Sequence, residues 1–221
     1  MKQLIRSELL KLRTTRATFW MLVGLPASVA IAVAASIASA NRAHGGLSLH
    51  TVEGVRNVLS AASSGNLLVL ILGIVAMTGE YQHQTATQTF LATPVRTRVV
   101  AAKLYAYALV GLVVAMAAAA LTLAIALPWL ASEGVRPRAV EDVGLVLVGA
   151  TAVTVLYGAL GVAVGALFRN QTAAIVLSVG WVLLFETIFV GFLPSLGRWF
   201  PGGAATALSS TTVHAGDLLP M

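Results

Sequence analysis

Residues 104–131 read LYAYALVGLVVAMAAAALTLAIALPWLA, a run without a single charged side chain. A helix needs about 20 mostly apolar residues to cross the hydrocarbon core of a bilayer. This stretch exceeds that length, and its unbroken apolarity lacks the alternation of a barrel strand. Moving outward along the chain, the same reading applies to 17–40, 58–78, 143–168 and 172–193. The second of these is weaker at its start, where Ser60, Ser63, Ser64 and Asn66 crowd together, and its strong part is 67–77. The last two are separated only by the polar turn Arg169-Asn170-Gln171. The fold predicted is an all-α integral membrane protein, a helical bundle of five transmembrane helices. Pro26 and Pro128 fall inside apolar runs and are predicted to kink or end their helices.

Composition agrees. Of 221 residues, 58% are hydrophobic and 10% charged, against about 45–50% and about 25% in a soluble domain. That difference argues against a soluble globular chain and against a disordered one. The absence of cysteine excludes disulfides, thiolate metal sites and cysteine nucleophiles. The net charge of +6 would suggest nucleic acid in a soluble protein, but the bases here flank apolar runs and point to a membrane surface. Ala38-Ser39-Ala40 resembles a signal-peptidase site. The apolar run before it is longer than the roughly 7–15 residues of a signal-peptide core, so it is read as a retained first span.

An N-inside arrangement of five spans puts nine of the 14 Lys and Arg on the inner side. The positive-inside rule therefore predicts a cytoplasmic N-terminus. Residues 1–16 form a basic amphipathic stretch: Leu4, Ile5, Leu9 and Leu12 recur at helical spacing, with Lys2, Arg6, Arg13 and Arg16 off that stripe. Such a helix lies in the interface and attracts anionic lipid. It reads either as an anchor for the first span or as an elbow helix that also touches a partner. Residues 194–221 mix Pro, Gly and aromatics, too broken to span, and are predicted to be a re-entrant or interfacial outer segment with Trp199 and Phe200 at headgroup level.

The longest polar inner stretch is 79–103. Glu80 opens it, 84–92 fits one short helix with Phe90 and Leu91 as apolar contacts, Pro94 ends that helix, and Arg96 and Arg98 mark the return to the membrane. A short amphipathic helix between two spans has the shape that fits a soluble partner's groove.

Gly79-Glu80-Tyr81, Thr85, the run from Leu91 to Arg96 with Pro94 inside it, and Ala102-Lys103 together resemble the signature of ABC-2 type permeases, the membrane subunits of many bacterial ABC exporters. The stretch from Arg198 to Ala204 is similar to the tail of actinobacterial members. The resemblance implies an elbow helix, six spans, a coupling helix between the second and third, and a re-entrant segment before the sixth. It implies two permease copies, as homo- or heterodimer, meeting two ATP-binding subunits in the bacterial plasma membrane. Contact with those subunits would run through Gly79, Glu80, Tyr81, Thr85, Phe90, Leu91, Pro94 and Arg96. No sixth span follows 194–221, so the sequence reads as truncated before it or as a five-span variant.

The chain carries no GxxxxGK[ST] loop and no Gly-Lys pair, so ATP is expected to be hydrolysed on a partner. No cofactor motif, metal-ligand spacing or nucleophile elbow occurs; His44, His50, His83 and His214 read as surface histidines and the chain as non-catalytic. Glu186 is the acidic residue well inside a span. It reads as a group on the transport path or gate, or as a hydrogen-bonded packing group. Gly158, Gly161 and Gly165 share one helix face, with Gly161-x-x-x-Gly165 a small-residue packing motif. Two other classes compete with an exporter subunit. A membrane anchor or regulatory protein would need no coupling segment. An ion-gradient carrier would want several intramembrane charges and, commonly, an inverted repeat.

Overall fold

The structure is a computed structural model. It describes residues 2–14, 16–41, 49, 51–82, 96–134, 140–168, 170–186, 188, 192, 201 and 202. In order, these form α1 (Lys2–Thr14), α2 (Arg16–Asn41), α3 (Val52–Leu59), a 3₁₀ turn (Ser60–Ser63), α4 (Asn66–Gln82), α5 (Arg96–Ser132), α6 (Val140–Leu167) and α7 (Gln171–Gly180), the last continuing as a π turn (Trp181–Phe185). Among the described residues, four helical segments are long and apolar enough to cross a membrane: Phe19–Ser39, Glu53–Gln82, Thr97–Ser132 and Val143–Leu167. The protein is an all-α membrane protein.

The bundle is organised around α6, whose broadest contacts are with α4 and α5. Glycine permits this. A Cβ on Gly73 of α4 would lie 2.8 Å from the Gly158 carbonyl oxygen and 2.8 Å from Val162 N, and one on Gly161 would collide with the Leu70 carbonyl. A Cβ on Gly158 would come within 2.7 Å of the Tyr107 carbonyl oxygen of α5. Backbones thus touch backbones, the close approach that small residues allow where lipid offers no hydrophobic drive. Helix α2 packs by a narrower stripe. Leu25, Val29, Val33 and Ile37 recur every four residues, are buried, and join Val58, Val69, Val114 and Ala118 in one core. The other faces of α2 keep Phe19, Trp20, Val23 and Ile31 exposed, as a lipid-facing helix does.

Several boundaries differ from the sequence reading. The second span begins earlier, because Thr51 caps α3 by accepting the Gly54 N–H at 3.1 Å. It is also broken: the serine-rich stretch forms the 3₁₀ turn rather than α-helix. The third span's helix starts at Arg96 rather than 104, with Val99, Ala102 and Lys103 buried in its first turns. Neither Pro26 nor Pro128 ends its helix; α2 and α5 run through them. The fifth predicted span appears as the shorter apolar helix Gln171–Phe185, started by the Asn170 side chain accepting the Ala173 N–H at 3.1 Å. The rest of 172–193, apart from 186, 188 and 192, lies outside the described residues.

Candidate functional site

Four charges close into a ring at the end of the bundle where α4 finishes and α5 begins. Lys103 Nζ lies 2.8 Å from Glu8 Oε2 and 2.9 Å from Glu80 Oε1. Lys11 Nζ lies 2.8 Å from Glu8 Oε1 and 3.0 Å from Glu80 Oε1. Each cation therefore touches both anions, and the signs alternate around the ring. Three chain segments meet there: α1 supplies Glu8 and Lys11 one helical turn apart, α4 supplies Glu80, and α5 supplies Lys103.

The local reason is helical register. Glu8 sits four residues from both Leu4 and Leu12, on the apolar stripe of α1. Ile5 and Leu12 pack against Leu72, Ala106, Tyr107 and Val162, which presses that stripe onto α4, α5 and α6. Glu8 is carried inward with it and is 7% exposed, Glu80 8% and Lys103 1%. A charge that deep persists only when paired and hydrogen-bonded. Lys103 also donates toward the Ala76 carbonyl at 3.3 Å. Lys11 is the wet corner, its side chain 54% exposed.

Burial by itself would push the Glu8 carboxyl up, but the adjacent Lys103, helped by Lys11, outweighs it and holds Glu8 below the usual carboxylate range. Burial would likewise push Lys11 down, and the hydrogen bonds and charges of Glu8 and Glu80 reverse this and hold it above the usual lysine range. The ring is thus fully ionised at neutral pH at these two corners. The ring ties the N-terminal helix and the two span ends into one piece.

Of the residues anticipated from sequence, Gly79, Glu80 and Tyr81 form the last turns of α4 and Arg96 opens α5. Thr85, Phe90, Leu91 and Pro94, with the whole helix expected over 84–92, lie outside the described residues. Sequence reasoning did not join Glu8, Lys11 and Lys103 into a site. The legible signal was a carboxylate in the middle of an apolar stripe. Gly158 and Gly161 meet α5 and α4 as described above, and Gly165 faces α4, where a Cβ would lie 2.9 Å from the Ile74 carbonyl oxygen and from Met77 Cβ. Glu186 follows the π turn, is 3% exposed, and its Oε1 accepts the Gly202 backbone N–H. Glu186 is far along the chain from the ring, and Gly202, its partner, lies within the 194–221 stretch. Among the described residues no group of three or more His, Asp or Glu could hold a metal ion.

A family model described as ABC-2 family transporter protein matches residues 4–190. Nothing matches among curated proteins or among solved structures. The match runs from the first turn of α1, through the ring and all four long apolar segments, to just beyond Glu186. The chain belongs to the ABC-2 transporter family.

Proposed function

We propose that this chain, a membrane permease of an ABC transporter by its family, is an exporter subunit that takes its energy from a separate ATP-hydrolysing polypeptide. In this reading the N-terminus and the ring face the bacterial cytoplasm, and residues 79–103 receive the partner's stroke, with Glu80 through Pro94 and Arg96 as the receiving segment. A second permease copy completes the substrate path, and Glu186 stands on or beside it. The observation that carries the proposal is the ring itself. Glu80 and Lys103 bracket residues 83–95, and the ring ties both span ends to the N-terminal helix. A push on the bracketed segment then reaches α1, α4 and α5 together, as a rigid-body switch requires. The lack of a P-loop in the 221 residues supports a separate ATPase.

The test is a tagged pull-down from native membranes in mild detergent, comparing wild type with Pro94→Ala and Glu80→Ala. An ATP-hydrolysing subunit should co-purify with the wild type and be lost or uncoupled in the variants. Pro94→Ala is the cleaner arm, since Glu80→Ala also opens the ring. Failure of any ATP-hydrolysing chain to accompany the wild type would overturn the exporter reading in favour of an anchor or an ion-driven carrier.

A further inference from the structure

We infer that the second membrane span is hinged at Ser60–Gly65, so that α3 swings while α4 stays fixed to the bundle. Four observations carry this. The first is the geometry of the break. The rise from Lys103 to Val114 is about 16 Å at about 1.5 Å per residue, roughly halfway through a hydrocarbon core of about 30 Å. At that level a Cβ on Gly65 would lie 3.0 Å from Val114 Cγ1 and 3.2 Å from Leu25 Cδ1. The break is therefore buried at membrane depth, where an irregular backbone needs a reason.

The second is the softness of the turn. Ser60 has φ −64° and ψ −15°, and Ser64 φ −62° and ψ −16°. Both are right-handed and differ from an ideal α-helix, at ψ of about −42°, by only some 25° in one angle. No left-handed residue locks the bend. Rewinding this turn to α-helix is a small torsional change spread over a few residues, and a 3₁₀ stretch within a helix commonly marks such a hinge.

Hydroxyl bookkeeping is the third. Ser60 Oγ donates to the Asn57 carbonyl at 2.6 Å, and Ser63 Oγ to the Ser60 carbonyl at 2.7 Å. Ser64 Oγ is buried and has no hydrogen-bond partner in this arrangement. In a rewound helix the Ser60 carbonyl sits four residues before Ser64, the usual acceptor for a serine hydroxyl. Each backbone arrangement thus has a serine ready to bond that carbonyl.

The fourth is the contrast between the two halves. Helix α4 is welded through Gly73 and through Leu70 and Ile74, whose backbones meet the α6 glycines, and at its far end through Glu80. In the core, helix α3 packs through apolar side chains, Val55 and Val58 among them, which slide more readily than interlocked backbones. As a lever of eight residues it is about 12 Å long, so a rotation of about 25° moves its tip about 5 Å. The part played by the hinge in a transport cycle rests on the exporter reading; the hinge does not.

The experiment uses spin-label distances in lipid nanodiscs, with labelled chain diluted in unlabelled chain. The sequence has no cysteine, so introduced cysteines are the sole attachment points. The hinge pair is Glu53→Cys on α3 with Ser132→Cys at the end of α5. The reference pair is Gln82→Cys on α4 with Leu167→Cys on α6. A hinge gives a hinge-pair distribution that is bimodal, or at least twice as wide as the reference. Adding Ser60→Ala and Ser63→Ala, which removes the hydroxyl bonds and favours α-helix, should collapse it to one narrow population. With an ATP-hydrolysing partner present, trapping with ATP and vanadate should shift the hinge pair by about 5 Å and leave the reference within 1–2 Å. Equal, narrow distributions for both pairs in every state, or equal shifts in both, would sink the hinge. A bimodal hinge pair that ignores ATP would keep the hinge and sink the exporter reading.

Discussion

Lys103 is the buried cation of the ring. It is fully enclosed and touches both ring carboxylates. Replacing it with methionine keeps the volume and strands two buried anions on the half-exposed Lys11. Breaking a buried pair from one side costs about 3–5 kcal/mol, so Lys103→Met should unfold markedly earlier in a thermal scan in nanodiscs. Lys103→Arg, which keeps the charge, should recover part of the loss. A second prediction concerns pH. The folded pKa of Glu8 lies below its unfolded value. Its contribution is therefore present above the unfolded pKa and lost as pH falls through the folded one. Lys11 has the opposite sign: its pKa is raised, so its contribution is complete below the unfolded value and lost as pH rises through the folded one. Solvent screening at Lys11 keeps that alkaline limb shallow. Thermal scans across pH should show an acid-side fall in stability, and Glu8→Gln should lower the neutral plateau and flatten that fall. An unchanged acid limb in Glu8→Gln would mean the ring is not what titrates.

At the scale of helices, the decisive contacts are those of α6 with α4. A Cβ at Gly161 would clash with the Leu70 carbonyl oxygen, which is backbone and cannot rotate away. Gly161→Ala should therefore part the two helices and cost about 1–3 kcal/mol, the usual penalty of overpacking. Gly144 lies on the same helix, and a Cβ there would meet nothing within 4 Å. Gly144→Ala should be neutral or slightly stabilising, since alanine is the better helix former by about 1 kcal/mol. Measuring both separates packing from helix propensity. The contrast also shows what sequence alone can read. The runs 17–40, 104–131 and 143–168 announced helices because twenty apolar residues have few other fates in lipid. Gly158, Gly161 and Gly165 announced a face, but not which helix lay against it. The break at Ser60–Gly65 was visible only as a weakening of the second span, because serine is compatible with helix, with 3₁₀ turn and with hydrogen bonding to its own backbone. The ring was least legible. Glu8 and Lys103 are 95 residues apart, and nothing in a single sequence pairs them. Only the misplaced carboxylate on the stripe of α1 hinted that a partner existed.

For the whole molecule, the two ends of the bundle differ in a way that fixes an orientation experiment. The ring end joins α1, the exposed Arg6 and Arg98, and the segment proposed to meet the ATPase. The opposite end carries Glu133 and Gly134, the latter at φ 72° in the turn that ends α5. If the ring end is cytoplasmic, as the distribution of lysine and arginine predicts, single cysteines at Ser7 and at Gln82 should react with a membrane-impermeant maleimide only in inverted vesicles. One at Glu133 should react only in intact spheroplasts. Both Ser7 and Gln82 are exposed and lie outside the ring, so their substitution leaves its four bonds in place. The opposite labelling pattern would put the bracketed segment outside the cell, where no ATP is available, and the exporter reading would fail on topology alone. Labelling of Ser7 and Gln82 from different sides would be more damaging still. Glu8 and Lys11 share α1 with Ser7, and Glu80 shares α4 with Gln82, so a ring bonded across 2.8–3.0 Å cannot have its two contributors on opposite faces of a membrane.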